Sequence, residues 1–224
     1  TLNKVAVMRF YLYHIHEYRR MYMNKIIKLC LSLAVGVMLT APAFAYPDVA
    51  NSHWAYSEIQ TLTEQGVIVG YPDGTFKPDE NVTRAEFASM AIKALGQEHT
   101  TVAQPVNFTD IDPTFWAYDA IQKALYFDLI SCPQEGQPFR PADTVTRAES
   151  ISVAVNALTT EQISSMKAKE VLSKKYADVN EVPEWFLIPA GKAEILDMLV
   201  VAPSANKARI EATRPATRAE VASI

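Results

Sequence analysis

From residue 46 onward, apolar positions follow helical spacing in short bursts separated by turn residues. In the first burst Trp54, Ile59 and Leu62 share one helical face, Asn51 or Ser52 stands where an N-cap belongs, and Gly66 closes the run as a C′ residue. Val67-Ile68-Val69 follows as a short extended apolar run. Next comes a turn-rich loop, Gly70-Tyr-Pro-Asp-Gly74-Thr-Phe-Lys-Pro78, with proline and glycine at turn positions. Thr83 then opens a second helix whose apolar face includes Phe87, Met90, Ala91, Ala94 and Leu95. The pattern predicts helix, loop, helix in a mostly α fold. A unit of roughly 50–60 residues is small for a core of its own, which favours several packed together.

The unit recurs. Tyr46-Pro-Asp-Val, Phe108-Thr-Asp-Ile and Tyr176-Ala-Asp-Val begin three copies, which reach Trp54, Trp116 and Trp185, all the tryptophans of the chain. They close on Val82-Thr-Arg-Ala-Glu86, Val145-Thr-Arg-Ala-Glu149 and Ala216-Thr-Arg-Ala-Glu220. The second copy keeps the loop in altered form, Cys132-Pro-Gln-Glu-Gly136-Gln-Pro-Phe139-Arg-Pro141. In the third, Val201-Ala-Pro-Ser-Ala-Asn-Lys207 has no glycine, and only a few residues follow Glu220. The units are therefore 46–100, 101–160 and an incomplete 176–224. A connecting helix at about 161–175 lies before the third, with Ile163, Met166, Val171 and Leu172 on one face and a solvated lysine-rich side.

Residues 23–45 read as a secretory signal peptide: Lys25 and Lys28, an apolar run from Leu29 to Leu39, then Ala43-Phe44-Ala45 for cleavage. The run is too short to span a bilayer, and Lys28 before Leu29-Cys30 does not suit a lipoprotein box. Residues 1–22 read as translated upstream sequence or a non-native cloning remnant ahead of a natural start at Met23, so His14, His16, Arg19 and Arg20 are expected to carry no function. The expected location is the cell envelope.

Composition narrows the function classes. With 49% apolar and 21% charged residues, the 224-residue chain can bury a core. Its two cysteines, Cys30 and Cys132, exclude a disulfide scaffold or a CxxC zinc site, and Cys132 reads as a small buried hydrophobe. The net charge of −4 divides into +5 over residues 1–45 and −9 over 46–224, the wrong sign for a nucleic-acid binder. Beyond the leader only His53 and His99 remain, with no HExxH, GxSxG, P-loop or GxGxxG motif, so no catalysis and no cofactor are expected. Asp73, Asp79 and Glu80 do not fit calcium-loop spacing, and no metal is expected.

Each Thr-Arg-Ala-Glu is first of all a capping box, which accounts for Thr83, Thr146, Thr217, Glu86, Glu149 and Glu220, with Val82 and Phe87 placed as a hydrophobic staple. Arg84, Arg147 and Arg218 fall at the first helical position, where a cation opposes the helix dipole. A guanidinium fork at a helix start suits a carboxylate or phosphate, and a surface salt bridge is the competing role. Each Trp at a helix start is assigned to the core for its ring bulk, with one edge free to line a groove and meet a sugar face. Asp48, Asp110 and Asp178 are expected to cap or brace the first helix, or else to meet sugar hydroxyls. Gly70 and Gly74 serve turn geometry, or close approach of a ligand to the backbone.

Asp48-Val49 with Trp54-Ala55, the Gly70–Pro78 loop and Thr83-Arg-Ala-Glu86 together resemble the S-layer homology domain, a bacterial surface-anchoring module. The likeness spans about Tyr46 to Ile224 and is weakest in the third unit. It implies three helix-loop-helix units packed as a pseudo-trimeric helical bundle with short loops and extended segments. Grooves between units would bind cell-wall glycan noncovalently: a pyruvylated secondary wall polymer in Gram-positive bacteria, peptidoglycan in some Gram-negative and cyanobacterial ones. The residues expected to meet that ligand are Arg84, Arg147, Arg218, Trp54, Trp116, Trp185, Asp48, Asp110, Gly70, Tyr71, Asp73 and Gly74. Two further readings make the chain the periplasmic, peptidoglycan-tethering part of a larger outer-membrane porin, or the anchor of a wall-acting enzyme. Either would place a barrel or a catalytic cargo beyond Ile224.

Overall fold

A computed structural model describes residues 46–131, 136–158, 162–199 and 208–224. The segments read as a signal peptide and as upstream sequence, Cys132 and residues 201–207 lie outside the described residues. Seven α-helices are described: α1 (Tyr56–Glu64), α2 (Arg84–Ala94), α3 (Tyr118–Tyr126), α4 (Arg147–Leu158), α5 (Ser165–Lys175), α6 (Glu184–Ile195) and α7 (Arg218–Ser223). Among these residues no sheet forms, only isolated bridges.

The units close into a ring. Val82 N–H donates to the Ala216 carbonyl, Ala216 N–H to Val145, and Val145 N–H back to Val82, at 2.9–3.0 Å. Val82, Val145 and Ala216 are buried together on this pseudo-threefold axis with Phe87. Cores are then shared between neighbours. The second helix of each unit packs on the first helix of the next: α2 on α3, α4 on α6 and α7 on α1. Ala88 and Ile92 of α2 join Ile121 and Leu125 of α3; Ile151 and Val155 of α4 join Phe186 and Ala190 of α6; Ala219 and Ala222 of α7 join Ile59 and Ile68 of the first unit. Sharing a core lets units too small to bury one alone exclude water collectively.

Several local expectations change. Helix α1 starts at Tyr56, with neither Asn51 nor Ser52 as cap; instead His53 Nδ1 accepts from Ala55 N–H at 3.2 Å. Trp54 thus precedes the helix, and Ile59 is its buried residue. The insertion helix starts one residue after its Ser164 cap and buries Ala168 and Leu172, whereas Met166 is exposed. The reason is close approach to α6: a Cβ on Gly191 would stand 2.6 Å from the Ala168 Cβ. That contact fixes which side faces in, and Met166, two residues away, turns outward.

Candidate functional site

The three Thr-Arg-Ala-Glu segments have one geometry. Thr83, Thr146 and Thr217 accept from the N3 amides of Glu86, Glu149 and Glu220, whose carboxylates accept from the threonine N–H groups in return. The arginines are not open forks. Arg84, Arg147 and Arg218 are 6%, 2% and 4% exposed. Their Nε atoms donate to the carbonyls of Phe139, Ile210 and Phe76, each in the next unit around the ring, at 3.1, 2.9 and 2.7 Å. The helix starts are closed as well, since Arg84 and Ala85 N–H donate to Asp143 and Pro141, Arg147 and Ala148 to Arg214 and Ala212, and Arg218 and Ala219 to Glu80 and Pro78. Donors expected to meet an anion therefore meet a neighbouring loop, which satisfies the orphan groups of a helix N-terminus equally well.

Beyond Nε, Arg147 Nη1 donates to Glu220 Oε1 at 2.7 Å, and Arg218 Nη1 lies 3.7 Å from Glu86 Oε1. Each glutamate thus caps its own helix and faces the arginine of the preceding unit. Burial pulls the Arg84 and Arg147 guanidinium pKa values down, opposed by Glu149 and Glu220 respectively. Burial would raise the pKa of Glu86, but hydrogen bonds from Tyr71 and Thr83 outweigh it and hold the carboxyl below its ordinary range. In Glu220 burial is likewise outweighed, by Arg214, Thr217 and Arg147.

The aspartates brace the loop rather than the first helix. Asp48 accepts from Phe76 and Lys77 N–H, Asp110 from Phe139 and Arg140, and Asp178 from Ile210 and Glu211, at 2.6–2.9 Å. The second residue of each pair has positive φ, 56° at Lys77, 60° at Arg140 and 53° at Glu211. A carboxylate spanning two successive amides offsets the strain of that left-handed turn. The braced peptide then offers its carbonyl to the arginine of the preceding unit.

Asp73 is exposed and accepts from Thr75 N–H and Oγ1, a local turn that, with its hydroxyl bond foremost, lowers its pKa. Gly74 has φ +82° with open space around it, as turn geometry requires. Gly70 is needed for a different reason: a Cβ there would lie 2.4 Å from the Tyr46 ring and 2.7 Å from the Thr75 carbonyl.

The tryptophans are not core. Trp54, Trp116 and Trp185 are 51%, 64% and 59% exposed: Trp54 and Trp116 sit in the turn before their helices, and Trp185 in the first turn of α6, beside the inward-facing Phe186. Trp116 lines a groove of about 710 Å³ between the first and second units. Val69–Pro72 form one wall, Phe115, Trp116, Pro141 and Ala142 the other, and Glu86, Ser89 and Lys93 of α2 with Arg218 complete it. Tyr71 Oη donates to Glu86 Oε1 at 2.6 Å, and burial with that bond pushes its pKa up to about 12. The Arg218 guanidinium lies 4.7 Å from the Tyr71 ring centre.

This groove unites Gly70, Tyr71, Trp116 and Arg218 from the expected set; Arg84, Arg147, Trp54, Trp185, Asp48, Asp110, Asp73 and Gly74 do not line it. Lys93 was not among the expected residues. It lines the groove, and its ammonium has no hydrogen-bond or ion-pair partner among the described residues. Its spacing from Glu86 and Ser89 puts all three on one helical face, a signal obscured by Asn156 at the same place in the second unit.

Residues 45–88 and 107–149 match the family model of the S-layer homology domain. These two stretches of the chain are S-layer homology domains. The chain is 36% identical over 149 residues to Cell surface glycoprotein 1 of Acetivibrio thermocellus, covering 62% of this chain and 6% of that one. To the Cellulosome-anchoring protein of the same organism it is 35% identical over 122 residues, 52% and 26% of the two chains. To an Endoglucanase of a Bacillus species it is 29% identical over 157 residues, 70% and 16%. The chain thus spans about a quarter or less of the length of these curated relatives. S-layer homology domains are non-catalytic modules that anchor proteins to the cell wall by binding its polymers. The third unit, outside the two matched segments, repeats the capping box, the aspartate brace and the arginine lock of the other S-layer homology units. No helix among the described residues is long and apolar enough to cross a membrane.

Proposed function

We propose that this module holds its protein in the bacterial envelope by binding an acidic wall glycan in the groove between the first and second units. The observation carrying this reading is a large exposed indole, Trp116, sharing that groove with the ammonium of Lys93, which has no ion-pair partner among the described residues. A flat apolar sugar face suits the indole, and a carboxylate such as a ketal-linked pyruvate, or a phosphate, suits the ammonium. Gly70 and Tyr71 supply the opposite wall. Arg218 backs it through Tyr71, while Arg84 and Arg147 act at one remove by holding the units together. In this reading the segment 23–45 directs export and is removed, and the relatives named for anchoring share the mode of attachment.

The test is a pull-down of the purified module with wall sacculi. Trp116→Ala and Lys93→Gln should each weaken binding about tenfold, with melting temperature unchanged. Sacculi stripped of ketal pyruvate by mild acid should lose the Lys93 dependence. Undiminished binding by the Trp116→Ala/Lys93→Gln double variant would reject the reading.

A further inference from the structure

A cavity of about 350 Å³ lies between α3 and the segment that joins the first two units. Small-molecule pockets begin at about this size. Two buried side chains of α3 fix its base. Gln122, 3% exposed, holds the Val106 backbone in both directions at 2.8 Å: its Oε1 accepts from the N–H and its Nε2 donates to the carbonyl. Lys123, 4% exposed, donates to the Glu98 carbonyl and to Asp119 Oδ2. An ammonium has three N–H donors and a carboxamide nitrogen two. Each of these nitrogens therefore keeps one N–H with no acceptor among the described residues, and both side chains line the cavity. A buried donor left without an acceptor is costly, and an oxygen entering the cavity would satisfy it.

The rest of the lining has the opposite character. Asp119 is exposed, and its Oδ1 accepts no hydrogen bond among the described residues; Glu98 and Thr101, also exposed, line the same cavity. Donors at the base with acceptors around them fit a ligand whose polar groups both give and take hydrogen bonds, as hydroxyls do. At pH 7 the carboxylates of Glu98 and Asp119 outnumber the Lys123 ammonium, so the cavity disfavours an acid. The half-buried Tyr118 ring adds an apolar surface for a sugar face. We propose that this cavity is a subsite for a neutral pyranose residue, next along the polymer from the acidic residue in the groove. The proposal rests on the groove reading above. Continuity along the chain joins the two places: Lys93 and Trp116 line the groove, while Glu98, five residues after Lys93, and Tyr118, two after Trp116, line the cavity. The groove then reads the charge of the glycan and the cavity reads its hydroxyls.

The experiment titrates the full chain with N-acetylglucosamine, with glucose and, as an acidic control, with glucuronate, following backbone amide resonances. The neutral sugars should shift the Thr101, Tyr118 and Gln122 amides with a millimolar dissociation constant, and glucuronate should do so at least about threefold more weakly. Asp119→Asn keeps an oxygen for Lys123 and turns the other oxygen into a donor. It should weaken the neutral sugars about tenfold, with the dispersion of the remaining amides unchanged. Lys123→Met, which removes the donor at the base, should do the same. In the sacculus pull-down Asp119→Asn should weaken binding about threefold or more. No shift of these amides by either neutral sugar at tens of millimolar would overturn the proposal, and so would sacculus binding unchanged by Asp119→Asn. Failure of the groove reading looks different: sacculus binding would survive Trp116→Ala/Lys93→Gln, whether or not the neutral sugars shift these amides.

Discussion

Arginine at the first position of a helix is electrostatically misplaced, and its recurrence in all three units points to work done elsewhere. The work is inter-unit. Arg147 is the most deeply placed, paired to Glu220 with side-chain exposures of 3% and 12%. Arg147→Ala leaves a buried carboxylate and the Ile210 carbonyl short of a donor, and should cost about 3 kcal/mol in a urea melt. Arg147→Lys should recover only part of this, since a lysine has no fork to serve both acceptors. Asp48→Ala removes the brace beneath Lys77 and should cost about 2 kcal/mol by the same measurement. The capping glutamates Glu86 and Glu220 set the acid limit. Their folded pKa values are lowered, so their stabilisation is complete above the ordinary value of 4.5 and is lost as pH falls through the lower folded value. Melting temperature should therefore drop between pH 5 and pH 3, roughly the ordinary carboxylate range, and less so in Glu86→Gln, whose baseline is already reduced.

At the level of elements, the second helices do two jobs. One face of α2 packs on α3, another lines the axis, and its N-terminal turn is completed by a neighbouring loop. Helical periodicity predicts the second helices, their caps and the axial face Phe87, Met90, Ala91, Ala94 and Leu95. It does not reveal that Ala88 and Ile92 belong to another unit's core, because periodicity reports which positions are apolar and not what covers them. The tryptophans show the same limit: a large ring near a helix start suits a core anchor or an exposed platform, and for Trp54 the observed helix start at Tyr56 decides. Lys93 escaped notice because comparing copies favours what repeats, and its counterpart is Asn156. Close contacts between elements are equally unforgiving. Gly70→Ala should destabilise through the Tyr46 ring and the Thr75 carbonyl, by about 1–3 kcal/mol in a denaturant melt.

For the molecule as a whole, the shared cores make one cooperative ring. Removing residues 218–224 should strip the first unit of Ala219, Ala222 and the Arg218 lock together, and lower the single melting transition rather than release a free third unit. Charge acts at this scale too. With −9 over residues 46–224 the module repels an acidic polymer at long range, so raising salt moderately from a low starting value should speed association, read as the binding rate to sacculi. The tripartite Thr-Arg-Ala-Glu pattern makes the ring and its order legible from sequence, while its closing contacts, Arg to a carbonyl in the next unit, leave no local trace. They depend on a braced loop about 140 residues away in the case of Arg218 and Phe76.

The way the first groove is assembled also sets how each unit bears on it. Its described walls come from the first loop, α2 and the Phe115–Trp116 turn, and among the described residues of the third unit Arg218 joins them. Asp178 of that unit acts at one remove, by holding the Ile210 turn that anchors Arg147. Groove and core are thus both pooled around the ring, so a substitution in one unit is felt at a surface built by the others.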